Sequence, residues 1–131
     1  MKRACVDTHA LVWYLVRPAR LGRRALRILR EADAGRAEIL IPAITVIELT
    51  LLQEAGRKVP GAPQVGALLN AQPSFKLQPL DMKQGLEFVL LAALRDPFDR
   101  MIVAAARNAE VPLLTADETI QAAALVETIW D

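Results

Sequence analysis

The 131-residue sequence predicts a three-layer α/β/α fold around a mostly parallel central sheet of about four or five strands. Three observations predict it. Short apolar runs of strand length alternate with longer stretches of helical periodicity along the whole chain, the pattern of repeated βαβ units. Apolar residues make up 53% of the sequence, above the usual share, as expected for a sheet buried on both faces. The length suits one ordinary domain, and no repeat, low-complexity tract or linker divides it. Residues 1–131 are therefore expected to form a single unit.

Ala4-Cys5-Val6 reads as the first strand, closed by Asp7. Thr8 is placed to cap a helix that opens with His9-Ala10-Leu11-Val12-Trp13, and Arg17-Pro18 stops it. A second helix is predicted from about Ala19 to Ala34, with Gly35 ending it. Glu38 to Ile41 is the second strand, ended by Pro42. A strongly apolar helix follows through Glu48 to about Ala55-Gly56. Residues 60–73 carry three Pro and two Gly and read as a loop with a short helix around Val65 to Leu69. Phe75 to Leu80 is the third strand, and Met82 to Leu94 a helix apolar almost all round. Asp96-Pro97 opens a helix that ends near Asn108. Val111 to Thr115 is the fourth strand, Glu118 to Ala124 a short helix, and Val126 to Trp130 a last strand.

The net charge of +1 singles out no partner through bulk electrostatics. Its distribution is more telling, because twelve Arg stand against four Lys and six of those Arg fall between Arg17 and Arg30. Cys5 is the only cysteine, which excludes an internal disulfide or a thiolate metal cluster and suits a reducing cytoplasm. The N-terminus meets Asp7 too early for a signal-peptide apolar run. The longest uncharged apolar stretch, Ile39 to Ile47, is far below a membrane span. A cytoplasmic chain with no membrane association is expected.

In open α/β sheets, ligands bind at the carboxyl ends of the strands, near the point where strand order reverses. Asp7 follows the first strand and Asp117 the fourth. Glu48 interrupts an otherwise apolar helix, where it shares a face with Thr45, and Asp99 sits in the first turn of its helix. Two carboxylates about 4 Å apart repel by roughly 1 kcal/mol in water and about 4 at an effective dielectric of 20. Four in one cleft therefore call for cations, and Mg2+ or Mn2+ prefers such all-oxygen donors. Each residue also has a plainer role open to it. Asp7 can simply cap a helix, Asp96 fits a cap better than a ligand, and His9 and Cys5 suit packing. Glu48 is the hardest to explain structurally, since an unpaired carboxylate among apolar side chains is costly.

Four segments together resemble a known family. They are Asp7-Thr8-His9-Ala10-Leu11-Val12-Trp13, Glu48, Asp96-Pro97-Phe98-Asp99-Arg100 with Ala104-Ala105-Ala106, and Leu113-Leu114-Thr115-Ala116-Asp117. In order and spacing they resemble a PIN domain, and most closely the VapC-type toxins of type II toxin-antitoxin pairs. The resemblance covers essentially the whole chain. It implies a Mg2+-dependent endoribonuclease (Mn2+ being the alternative ion) that acts on RNA, is neutralised by a cognate antitoxin, and assembles as a homodimer or a larger toxin-antitoxin complex. It makes Asp7, Glu48, Asp99 and Asp117 the catalytic, metal-ligating quartet, with Thr115 as the hydroxyl beside the last acid and Thr8 as a supporting group. The chain departs from many similar members at Leu52, where they carry a Lys.

Arg20, Arg23, Arg24 and Arg27 recur at helical spacing and are candidates for RNA phosphate contact, as is Arg100 beside Asp99. Two phosphate-transfer folds are disfavoured by absent residues. One would need an acid two positions after Asp7, where His9 stands, and the other a Lys after a late strand, whereas the last Lys is Lys83. The non-enzymatic alternative is a catalytically silent PIN-like module that binds RNA or protein.

Overall fold

The N-terminal apolar run forms β1 (Lys2–Val6), with Ala4, Cys5 and Val6 fully buried. The computed structural model describes residues 1–131. After β1 come α1 (Thr8–Val16), a 3-10 turn (Pro18–Arg20), α2 (Arg23–Asp33), β2 (Ala37–Pro42), α3 (Ala43–Glu54) and α4 (Ala62–Ala71). The second half holds β3 (Phe75–Gln78), α5 (Met82–Val89), α6 (Pro97–Ala109), β4 (Leu113–Leu114), α7 (Glu118–Ala123) and β5 (Thr128–Ile129).

The strands form one sheet in the order β3-β2-β1-β4-β5, and every pairing is parallel. The chain steps outward from β1 to β3, then returns to lay β4 on the other side of β1. The carboxyl ends of β1 and β4 thus flank the switch point, with Val6 level with Leu114. On one face Leu11, Leu29, Leu49 and Val65 from the first four helices pack with Ile39 of β2. On the other, Ile102 and Val103 of α6 pack with Leu91, Leu113 and Ile120. These are the three layers expected, and the sheet is wholly parallel. No helix is long and apolar enough to cross a membrane.

Several boundaries differ from expectation, each for a physical reason. Asp7, not Thr8, caps α1 by accepting from the Ala10 amide at 2.8 Å. The second helix starts at Arg23 rather than Ala19. Arg17, before proline, leaves the helical region (φ −154°, ψ 68°), and a separate 3-10 turn intervenes. Arg20 therefore lies off the helix that carries Arg23, Arg24 and Arg27. Helix α4 fills most of the predicted loop. Helix α5 ends at Val89, where the chain tightens into three-residue turns (Leu91 amide to Phe88 carbonyl, Leu94 amide to Leu91 carbonyl) that bury Leu91 and Leu94. The helix expected to be apolar almost all round is shorter and carries Lys83, Gln84 and Glu87, and it leaves Met82, Leu86 and Val89 exposed, with Leu90 beside them.

Helix α2 has no side-chain cap. Instead the Trp130 carbonyl, just past β5, accepts from the Arg24 and Ala25 amides at 3.0 and 3.1 Å. Gly22 makes this approach feasible, because a Cβ there would stand 2.4 Å from that oxygen. Trp130 in turn packs on Trp13 with ring centroids 5.7 Å apart. Gly22→Ala is accordingly expected to destabilise the fold by roughly 1–3 kcal/mol, the usual cost of overpacking. Urea unfolding checks this, and an unchanged midpoint would show that the contact yields freely.

Candidate active site

Five acidic side chains line one cleft of about 370 Å3: Asp7, Glu48, Asp96, Asp99 and Asp117. Thr8, His9 and Trp13 complete much of its wall, and no Lys or Arg lines it. All four acids of the predicted quartet are thus brought together, delivered by four separate segments. Asp7 extends from β1 and Glu48 from the middle of α3. Asp99 lies in the first turn of α6, and Asp117 follows β4.

Much of this placement is local helix chemistry. Asp7, Asp96 and Asp117 are the N-caps of α1, α6 and α7, and each accepts a backbone amide of its own helix. Asp96 takes the Phe98 and Asp99 amides at 2.9 and 3.0 Å, and Asp117 the Ile120 amide at 2.9 Å. Three helix N-termini therefore converge on the cleft, and their partial positive charge offsets some of the carboxylate repulsion.

Two threonines fix the remaining geometry. Thr115, fully buried, donates its hydroxyl to the second oxygen of Asp7 and accepts the Asp117 amide at 3.0 Å. It ties the acid after β1 to the acid after β4 across the switch point. Thr8, also buried, donates its hydroxyl to Glu48 Oε1 at 2.5 Å, with the Thr45 hydroxyl 3.4 Å away. The polar notch of α3 is therefore completed from α1. Gln121 braces the same strand end by donating to the Thr115 carbonyl at 3.0 Å.

The electrostatics record burial first and crowding second. Burial, with a smaller push from Asp117, raises Asp7 to about 6 against the opposing hydrogen bonds from Thr115 and Ala10. Asp99 is raised to about 7, first by burial and then by Asp117, Asp96, Glu48 and Asp7 in turn. No three of the acids stand close enough to enclose an ion in their present positions. Four of the five are held instead by a cap or a threonine, and Asp99 is placed by the first turn of α6. An all-oxygen set around one cleft still fits Mg2+ or Mn2+, since Mg2+ keeps several waters and needs only one or two carboxylates.

The predicted basic contacts are scattered. Arg20 lies beside the cleft, its guanidinium 4.9 Å from the Trp13 ring centroid. Arg24 and Arg27 line a different depression with Lys2, Arg3 and Pro112, away from the acidic cleft. Arg23 is solvent-exposed on the same helix. Arg100 is turned onto α5, its Nε donating to the Phe88 carbonyl at 3.0 Å and its guanidinium lying over the Phe88 ring. Several cleft residues were not foreseen, His9, Ile102 and Ala116 among them. Asp96 lines the cleft as well as capping α6, and Trp13 forms part of its wall.

Fold and cleft together define a class: a three-layer α/β protein with a parallel sheet and a carboxylate-lined cleft at its switch point. A PIN domain family model matches residues 4–125, and the chain belongs to the PIN domain family. PIN domains are generally nucleases, and those nucleases generally use divalent metal ions. Among solved structures the chain is similar to VapBC2 from Rickettsia felis bound to a DNA fragment from its promoter. That match has a TM-score of 0.71 at 15% identity and covers 98% of this chain and 99% of the other. It is also similar to DNA-bound VapBC from Salmonella typhimurium, with a TM-score of 0.68 at 14% identity and 98% of each chain covered. FitAcB from Neisseria gonorrhoeae matches at 0.64 with 20% identity over 96% of each chain. At these identities the likeness establishes the fold. No curated protein matches the chain.

The crowding has a consequence for metal-free protein. Asp7 and Asp99 bind their protons more tightly when folded, so this contribution to stability is full below about pH 4 and is lost as pH rises through about 6 to 7. Asp99→Asn is expected to stabilise the metal-free chain near pH 8 by about 1 kcal/mol and to flatten that decline, the full shift being discounted for solvent at this half-open position. Urea unfolding in EDTA at acid and alkaline pH measures both effects. A variant no more stable than the wild type near pH 8 contradicts the combined burial and crowding assigned to Asp99.

Proposed function

We propose that this protein is a divalent-metal-dependent endoribonuclease, the toxin half of a toxin-antitoxin pair. The observation that carries the reading is the cleft itself, where five carboxylates from separate segments meet and no Lys or Arg lines the wall. Such a concentration of negative charge suits a cation, and through it a phosphate. Mg2+ or Mn2+, when bound, supplies charge neutralisation at the phosphate and eases deprotonation of the attacking water. Asp7, Asp99 and Asp117 would hold the ion, with Glu48 doing so directly or through water. Thr115 keeps Asp7 turned into the cleft, and Thr8 does the same for Glu48. RNA as the substrate is supported by the resemblance to VapC-type toxins.

A protein partner is supported by the neighbouring structures, which are named as VapBC complexes, two of them on DNA. A cognate antitoxin would fill that role here. The exposed apolar side chains Met82, Leu86, Val89 and Leu90 support self-association as a homodimer or within a larger assembly. The single buried cysteine and the absence of a helix able to cross a membrane fit a cytoplasmic setting.

The test is cleavage of whole-cell RNA by purified, antitoxin-free protein with Mg2+ or Mn2+, with EDTA, and with Asp7→Asn or Asp99→Asn. Cutting is expected with metal and is expected to vanish in EDTA. Each substitution should lower the rate more than about 100-fold, beyond the 10–100-fold typical of a group one step removed from a metal. Thr8→Val, which deletes the hydroxyl on Glu48, should fall within that smaller range. Folded wild-type protein that cuts no RNA with either ion leaves a silent binding module instead.

A further inference from the structure

A second groove, of about 340 Å3, adjoins the carboxylate cleft and shares His9 and Trp13 with it. Its walls come from α1 (Val12, Val16), from the turn that follows α1, and from the connection between α3 and α4 (Lys58, Val59). Its charge is the reverse of the cleft's. Arg17, Arg20, Arg57 and Lys58 line it, and no carboxylate does. None of these four takes part in any of the chain's three ion pairs. At the junction the Arg20 guanidinium lies over the Trp13 ring, whose centroid is 6.1 Å from that of His9 and 5.7 Å from that of Trp130. An aromatic-guanidinium pair is thereby held where the acidic and basic regions meet.

We propose that this groove holds the single-stranded RNA flanking the scissile phosphate, an assignment that rests on the ribonuclease reading above. Arg17, Arg57 and Lys58 would take backbone phosphates, and the Trp13–Arg20 pair would take a base by stacking, as aromatic rings and guanidinium planes do in single-strand binding. Continuity favours RNA over an acidic protein as the occupant. A strand with one phosphate over the carboxylates is repelled by the cleft's rim. It gains neutralising charge by leaving past His9 and Trp13 into the groove that shares those walls. The four free cations also offset a repulsion that the metal site alone imposes on a polyanion.

Anisotropy of a short fluorescein-labelled single-stranded RNA, with the full-length protein and Ca2+ in place of Mg2+, tests the assignment. Arg57→Glu combined with Lys58→Glu alters two exposed loop residues. The pair should weaken binding roughly tenfold or more and flatten the slope of log affinity against log salt by about one to two phosphate contacts. Arg20→Met keeps Trp13 packed on Trp130 and should weaken binding severalfold, so the prediction does not depend on a Trp13 variant that fails to fold. If these variants bind RNA with wild-type affinity and salt dependence while the wild type cuts RNA, the groove assignment is wrong and the nuclease reading stands. If the wild type neither cuts nor binds RNA, both fall. Loss of a protein partner's binding with RNA binding intact overturns the assignment in favour of a protein-docking groove.

Discussion

Like-charge repulsion at the switch point is the constraint around which the rest of this molecule is arranged. Five carboxylates share a cleft of about 370 Å3, and two of them are pushed up to about 6 and about 7. An arrangement of that kind survives only if local structure holds each acid against its neighbours. Three of the five are helix caps, so the interactions that start α1, α6 and α7 also hold the charges in place. Thr115 and Thr8 secure Asp7 and Glu48. No three of the acids form a ready cage. A cation that keeps most of its water suits a cleft of this kind.

The sheet topology makes the crowding unavoidable. With β1 at the centre and β4 beside it, the residues just past these two strands must lie side by side. Burial of β1 on both faces leaves Asp7 at the end of an apolar strand with only 7% of its surface exposed, so desolvation dominates its shift. Around this centre the charge is sorted by position. Acids gather in the cleft, and free Arg and Lys line the groove beside it. Arg24 and Arg27 of α2 line a separate depression with Lys2 and Arg3.

What was legible in the sequence was what local chemistry determines. Asp96-Pro97 announces a helix start whatever surrounds it, and Glu48 stands out because its neighbours are apolar. The strand-helix alternation sufficed for a three-layer fold with a parallel sheet. The features not legible depend on contacts distant in the chain. The helix read from Ala19 to Ala34 runs through Gly22, where Trp130 in fact presses its carbonyl onto the start of α2. The charge periodicity from Arg20 to Arg27 suggested one basic face, but the backbone before Pro18 breaks it. Asp96 could be read as a cap yet not as part of the cleft, since its second role depends on β1 and β4. Trp13 gains its place at the junction only when the connection after α3 folds against α1.

The most direct test of the central claim, that the crowded acids form one cation site, is calorimetric titration of Mn2+ into metal-free protein. The wild type is predicted to bind the ion, and Asp7→Asn and Asp99→Asn to lower the affinity by about tenfold or more while remaining folded. Wild-type Mn2+ affinity in both variants would contradict it, because Asp7 and Asp99 would then contribute nothing to a cation site.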